Sequence, residues 1–265
     1  MAPMGDFGVV GAWLLLVIVV IGAVLTAVGS VWLASRVISR DTRPEHNSIL
    51  SPFLTVVGLV YGALLGFTVV VGWQEFLSAE VNVSNEASAL TTLYRQTVAM
   101  PQPERSQLRE QLRNYAGALQ GPKWGKEGFG SISDTGRAAL TEMYRIVGRP
   151  QQSNVASSPI NQEFLSELTV LASDRSTRIL DAKPRVPALL WCSLIFGGAV
   201  LIVLTSFLRL ASNRGHMILV SAVTILLALL LYLVFTLDHP FGPIGVTPQP
   251  FAHAVTVFDS VDRAA

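Results

Sequence analysis

The 265-residue chain is short of charge and of cysteine. Only 14% of its residues are Asp, Glu, Lys or Arg, where a soluble domain carries about a quarter. An ordinary water-soluble enzyme is therefore not expected. The single cysteine, Cys192, excludes an intrachain disulfide framework and a multi-cysteine metal centre. Neither sign of charge prevails, since 19 Lys and Arg stand against 18 Asp and Glu. A polybasic surface aimed at nucleic acid is absent, so no nucleic-acid partner is expected. What the chain holds in excess is apolar residues, 51% of the total, too many for a disordered chain. These proportions describe a membrane protein.

The scarce charges are also unevenly placed. Residues 76–186 hold 24 of them in 111 positions, and the other 154 residues hold 13. Four runs carry no Asp, Glu, Lys or Arg at all: Phe7 to Ser35, Asn47 to Gln74, Val186 to Leu208 and Met217 to Leu237. Each reaches the roughly 20 residues that a helix needs to cross the hydrocarbon core. Transmembrane helices are predicted at about 9–35, 50–74, 187–208 and 216–237. They must be helical, because lipid offers no partner to an unpaired backbone group. Pro52 and Pro187 fall at predicted helix starts, where a missing N–H costs little. The first run lacks a basic leader and is long for a signal sequence, so a retained helix is expected.

The predicted architecture is all-α and polytopic. Residues 1–75 supply transmembrane helices 1 and 2, and 76–186 form a helical water-soluble insert. Residues 187–237 supply helices 3 and 4, and 238–265 form a Pro/Gly-rich segment with an amphipathic helix. Four crossings put both termini and the insert on one side. Arg36, Arg40 and Arg43 in one short loop, with Arg209 and Arg214 in the other, favour a cytoplasmic position for those loops. That places the insert outside. Arg175, Arg178, Lys183 and Arg185 crowd the third helix from the opposite end and vote against it.

Within the insert, Leu77, Val81, Ala87, Leu90, Tyr94 and Val98 suggest that the second helix runs on into water until Pro101 and Pro103. A helix at 103–120 carries Leu108, Leu112, Tyr115 and Leu119. A glycine-rich loop follows at 123–133. A short helix at 134–147 presents Leu140, Met143, Tyr144 and Val147. A linker at 148–157 leads to a last helix at about 159–183, opened by Ser158-Pro159. Its stripe is Phe164, Leu168, Leu171, Ala172 and Ile179.

Motifs for hydrolytic, metal-dependent or phosphate-binding chemistry are missing: there is no HExxH, no Walker-type loop and no GxSxG. The histidines at 46, 216, 239 and 253 are scattered. No catalytic residue, metal site or cofactor is assigned. The transmembrane runs also lack the Asp, Glu or Lys of a proton relay. A permeation path through them would have to use hydroxyls, backbone carbonyls or a hydrophobic gate.

The candidate site lies on the second helix. Gly58, Gly62 and Gly66 are four apart and make a groove for close helix approach, with Tyr61 and Thr68 as nearby polar groups. Such a groove serves packing within the chain, packing between subunits, or a narrow pore lined by backbone. Where the helix leaves the bilayer stand Trp73 and Glu75. They read as an interfacial anchor and a solvated carboxylate, or as the mouth of a pore. A second motif runs from Phe235 to Phe251 and contains Asp238, His239, Pro240 and Phe241. Phe251, Val255 and Phe258 then mark an amphipathic helix. This tail reads as a segment lying at the membrane interface, or as a plug, filter or partner-binding element.

Four stretches taken together, YGALLGFTVVVGWQEF, EASALTTLYRQTVAMPQPERSQLREQLRNYA, KPRVPALLW and LDHPFGPIGVTPQPF, resemble a bacterial membrane-domain family labelled bestrophin-like. The resemblance covers roughly residues 45–260. It implies an oligomeric ion channel in the bacterial inner (plasma) membrane, because bestrophins are pentameric channels with four membrane helices and a helical cytosolic region. The partners it implies are the lipid bilayer, further copies of the chain and an inorganic ion. It also implies a cytosolic insert, opposite to the short-loop arginines. The competing reading is a non-transporting membrane scaffold or sensor whose helical domain binds a partner or ligand.

Overall fold

The computed structural model describes residues 5–37, 46–120, 124, 134–148, 159–208 and 212–264. Arg40, Arg43 and Arg209, most of the expected loop at 123–133, the linker beyond Gly148 and Ser158 lie outside these residues. The described chain is helical, and no strand occurs in it. The helices are α1 (Gly5–Val37), α2 (His46–Gln96), α3 (Glu104–Leu119), α4 (Asp134–Val147), α5 (Pro159–Asp181), α6 (Ala188–Phe207), α7 (Asn213–Asp238) and α8 (Gln249–Ala264). A single 3-10 turn, Thr97–Ala99, ends α2 before Pro101.

Four of these helices are long and apolar enough to cross a membrane: α1, α2, α6 and α7. The second helix continues unbroken for 51 residues. At 1.5 Å per residue it is about 75 Å long, more than twice the ~30 Å hydrocarbon core. Its start at His46 puts Pro52 inside the second turn, not at the beginning as expected. The missing proline N–H removes one rung there. Pro187 does cap α6, with φ −59° and ψ 144°.

The chain divides into two compact units. The first comprises residues 1–74 and 185–238, and the second 75–184 and 239–265. In the first, α1 packs on α6 and α7 through small side chains, Ala23, Ala27 and Ala34. Small residues let apolar helices approach closely. The inner face of α2 offers Tyr61 and Leu65 to Leu194 and Leu201 of α6 and to Leu227 and Val234 of α7.

The second unit has a core of Ala79, Val83, Leu90, Leu93 and Tyr94 from α2, joined by side chains of α3, α4, α5 and α8. The expected stripe on distal α2 is half right. Ala87, Leu90 and Tyr94 are buried, but Leu77, Val81 and Val98 are exposed. The buried line runs 79, 83, 86, 90, 93, 97, three or four apart, and its third member is Glu86. A charged residue in the middle of the apolar face hid the register. On α4 the face is rotated: Ala139, Met143 and Ile146 are buried while Tyr144 is exposed. On α5, Phe164, Leu168 and Leu171 are buried as expected, but the stripe continues through Arg178 in place of Ile179. The tail helix α8 buries Phe251, Ala254 and Phe258 against protein, with Val255 only half-buried. Phe258 stacks on Tyr94 at 4.1 Å. The amphipathic face read from the sequence is therefore covered by the unit's own core and not by lipid.

Candidate functional site

On the membrane-crossing part of α2 the three glycines do not behave alike. A Cβ at Gly58 would lie 3.9 Å from Leu201, an ordinary contact. A Cβ at Gly62 or Gly66 would meet nothing within 4 Å. Close packing inside the chain thus accounts for Gly58 at most. The close approach is made by residues that sequence reasoning passed over, Gly197 and Gly198 on α6. A Cβ at Gly197 would fall 2.5 Å from the Tyr61 ring, and one at Gly198 would fall 3.1 Å from its hydroxyl. The adjacent pair in LIFGGAV was the signal for a notch of this kind. Tyr61 lies buried in that notch, and its hydroxyl has no hydrogen-bond partner among the described residues.

The other polar candidate on this helix is spent on the backbone. Thr68 is buried and donates to the Leu64 carbonyl at 2.8 Å. Trp73, in contrast, is 52% exposed. Glu75 is half-buried and belongs to the second unit. Helix α2 therefore has two faces in the first unit. Tyr61, Leu65 and Thr68 are sealed against the chain, while Gly62, Gly66, Val70 and Trp73 point out of it.

Asp238, at the end of α7, is nearly buried and acts as a clamp. Its Oδ1 accepts the backbone N–H groups of Arg185 and Val186 at 2.8 and 2.9 Å. Its Oδ2 accepts the Trp191 indole N–H at 3.2 Å. The carboxylate thus pairs two backbone donors of the segment that leads into α6, and its charge near the start of that helix suits the dipole.

The motif after Asp238 has a structural explanation. Val246 N–H donates to the Pro240 carbonyl at 2.7 Å, and Gly242 and Gly245 close successive turns. A Cβ on Gly245 would sit 1.9 Å from the Pro240 oxygen, so only glycine fits. His239 is half-buried, and Pro240 and Phe241 are buried in the second unit. Phe241 meets the Trp124 ring edge-on at 5.5 Å, and the Trp124 indole donates to the Val246 carbonyl at 2.9 Å. This segment is a brace for Trp124.

Two charged clusters stand in the second unit. In the first, Glu86 is fully buried, and Arg178 Nε donates to its Oε2 at 2.6 Å. The Tyr115 hydroxyl donates to Glu86 Oε1, also at 2.6 Å. Burial pushes the Glu86 carboxyl up, and Arg178 and Tyr115 pull against that shift without cancelling it. Burial and the adjacent carboxylate lift the Tyr115 phenol well above its ordinary range. The second cluster ties α8 down. Arg109 pairs with Asp262 at 2.6 Å, and Arg113 pairs with Asp259 and Asp262 at 2.8 and 2.7 Å. The Tyr94 hydroxyl donates to Asp262 at 2.7 Å. Among the described residues no group of His, Cys, Asp and Glu is arranged to hold a metal ion.

A family model described as Bestrophin-like domain matches residues 21–251. No curated protein matches the chain. Among solved structures, a bacterial bestrophin homolog from Klebsiella pneumoniae carrying one mutation is similar over 93% of this chain and 97% of its own, with TM-score 0.67 and 15% identity. Another structure of the Klebsiella homolog, phased with zinc, covers 92% of this chain and 96% of its own, with TM-score 0.66 and 16% identity. At such identities the likeness is one of fold. The shared fold spans both units and has the same helical character.

Proposed function

The chain belongs to the bestrophin-like domain family, and from that premise we propose that it works as a homo-oligomeric ion channel with α2 facing the symmetry axis. The observation that carries this reading is the bare face of α2. Gly62 and Gly66 have open space beyond their backbone, while the neighbouring face with Tyr61 and Leu65 is sealed. A helix that keeps glycine where nothing among the described residues needs the room leaves that room for another copy or for a passing ion.

The outward line 62, 66, 70, 73 continues at exposed positions 77, 81, 84 and 88, three or four apart on the same unbroken helix. Glycine gives way to Trp73, then Leu77 and Val81, then Ser84 and Ser88. In an oligomer this line forms a backbone-lined section, an apolar constriction and a hydroxyl-lined vestibule. No Asp, Glu, Lys or Arg lies in the four apolar runs. Selection there falls to carbonyls, hydroxyls and dewetting of the apolar ring; Glu75, two turns on from Thr68, lies on the same side of α2 as Thr68 and away from this line. The setting is the bacterial inner membrane, crossed four times, with both termini and the helical insert on one side.

The test is flux from liposomes holding the purified full chain, with Gly62→Leu set beside Gly197→Ala. Gly62→Leu is expected to keep the oligomer and its thermal stability while changing ion flux several-fold. Gly197→Ala forces the Tyr61 ring to move and is expected to lower stability. A strictly monomeric wild-type particle, or intact oligomers without flux of any ion tried, would overturn the channel and leave the scaffold or sensor.

A further inference from the structure

A crevice of about 100 Å³ lies between α1 and α6 in the first unit. Its lining is Ser30, Leu33, Ala34, Val203, Ser206 and Phe207. The two hydroxyls do not make it polar. Ser206 donates to Ser30 at 2.8 Å, and Ser30 donates to the Ala27 carbonyl at 2.9 Å. Their protons are taken up by protein oxygens, so the cavity presents mainly carbon. Leu33 is 58% and Val203 47% exposed, so the mouth opens on the outer surface of the bundle and not into its core.

Cations frame this mouth. Arg36, one turn beyond Leu33 on α1, is exposed and stacks on Trp32 at 4.4 Å. Arg214, in the first turn of α7, is exposed at the same end of the bundle, because α7 starts where α6 finishes. Among the described residues of these three helix ends there is no carboxylate. From Ser30 to Arg36 the helix rises about 9 Å. The headgroup layer is about 5–8 Å thick on each side of the core, so Arg36 stands at headgroup level when the crevice lies among the acyl chains.

We propose that the crevice and its arginine rim bind an anionic glycerophospholipid. One acyl chain enters between Leu33 and Val203, and the phosphate meets the Arg36 guanidinium, which Trp32 holds at the interface. Charge favours this occupant over a second copy. Among the described residues at this end of α1, α6 and α7 a second copy would bring arginines and no carboxylate to Arg36. The inference needs these helices to lie in a bilayer, and it does not need the protein to conduct.

The test uses the purified full chain in mild detergent, titrated with phosphatidylglycerol or with phosphatidylcholine of the same acyl chains. Bound lipid is counted by native mass spectrometry, and thermal unfolding is followed in parallel. Phosphatidylglycerol is expected to bind more tightly and to raise the melting temperature more. Arg36→Gln should weaken it about fivefold and leave phosphatidylcholine unchanged, with Arg36→Lys restoring most of the difference. Val203→Trp, which fills the mouth from its exposed side, should weaken both lipids. The proposal fails if the two lipids bind equally to wild type and Arg36→Gln. It also fails if Val203→Trp changes the subunit number and leaves lipid binding intact, since the crevice would then be a contact between copies. If Val203→Trp does not fold, the Arg36 pair decides alone.

Discussion

The two units are made of the same element and stabilised in opposite ways. The second keeps its own company: Tyr94, Tyr115, Phe164, Phe251 and Phe258 are almost wholly buried within it, and so is a carboxylate with its guanidinium. The first turns most of its large side chains outward. Ile18, Leu25, Leu59, Phe67, Leu189 and Ile218 are each more than 60% exposed in the single chain. In water that surface would be ruinous. In lipid it costs nothing, because acyl chains are as apolar as leucine. The second unit is therefore stable through contacts inside the chain, and the first depends on what surrounds it. Changes that act on one unit and spare the other test this division.

The largest effect is expected at Gly245. Alanine there would put its Cβ 1.9 Å from the Pro240 oxygen, a clash that backbone on both sides cannot relieve without opening the turn. A loss of about 4 kcal/mol or more is expected for Gly245→Ala, in the class of the severest single substitutions. Hydrogen exchange locates the damage. Protection should fall across 75–184 and 239–265 while α6 and α7 keep theirs. Equal loss in α6 and α7 would break the comparison, because the units would then melt as one.

That glycine also marks where the sequence stops being readable. The four crossings, the length of α2 and the helix order follow from charge-free runs, prolines and periodicity, because those signals are local. The core face of distal α2 does not, since Glu86 occupies a position that periodicity reserves for an apolar side chain. Its partner Arg178 lies 92 residues away, and only together do they make a tolerable interior. The α5 stripe goes astray at the same pair. The Tyr61 notch shows the limit from another side. GxxxG on α2 pointed to a groove on that helix, but inside the chain the close contact is made by Gly197 and Gly198 against Tyr61. Gly62 and Gly66 were legible as unusual, and their openness became visible only once α6 and α7 were in place.

A second, smaller effect is expected at that buried pair. Glu86→Ala leaves the Arg178 guanidinium in the interior without its carboxylate and removes the acceptor of the Tyr115 hydroxyl. Breaking one side of a buried pair costs about 3–5 kcal/mol. The double variant Glu86→Leu with Arg178→Met removes both charges and should recover much of that loss. Urea or thermal unfolding of the wild type, Glu86→Leu, Arg178→Met and the double variant closes the cycle. A single variant no less stable than the double would mean that water or another group reaches the pair, and the second unit would then be less self-contained than its core suggests.

The smallest effect concerns α8 and depends on pH. Burial works against the Asp262 charge, but hydrogen bonds from Tyr94 and Arg113, with Arg109 close by, hold its carboxyl below the usual range. A depressed folded value means that the group stabilises the fold above its unfolded pKa, about 3.9. That contribution is lost as pH falls through the folded value. The window therefore lies below about pH 4, with no change expected from pH 5 to 8. Asp262 is 36% exposed on its side chain, so solvent screening keeps the contribution within about 1 kcal/mol. Hydrogen exchange in 249–264, corrected for intrinsic rates, should quicken below pH 4 before the rest of the second unit responds. In Asp262→Asn that acid step should flatten, with weaker protection of α8 already at pH 7. If α8 loosens only when the whole unit does, the Tyr94–Phe258 stack and the buried Phe251 hold it without help from the ion pairs. The self-sufficiency of the second unit would then rest on its apolar core alone.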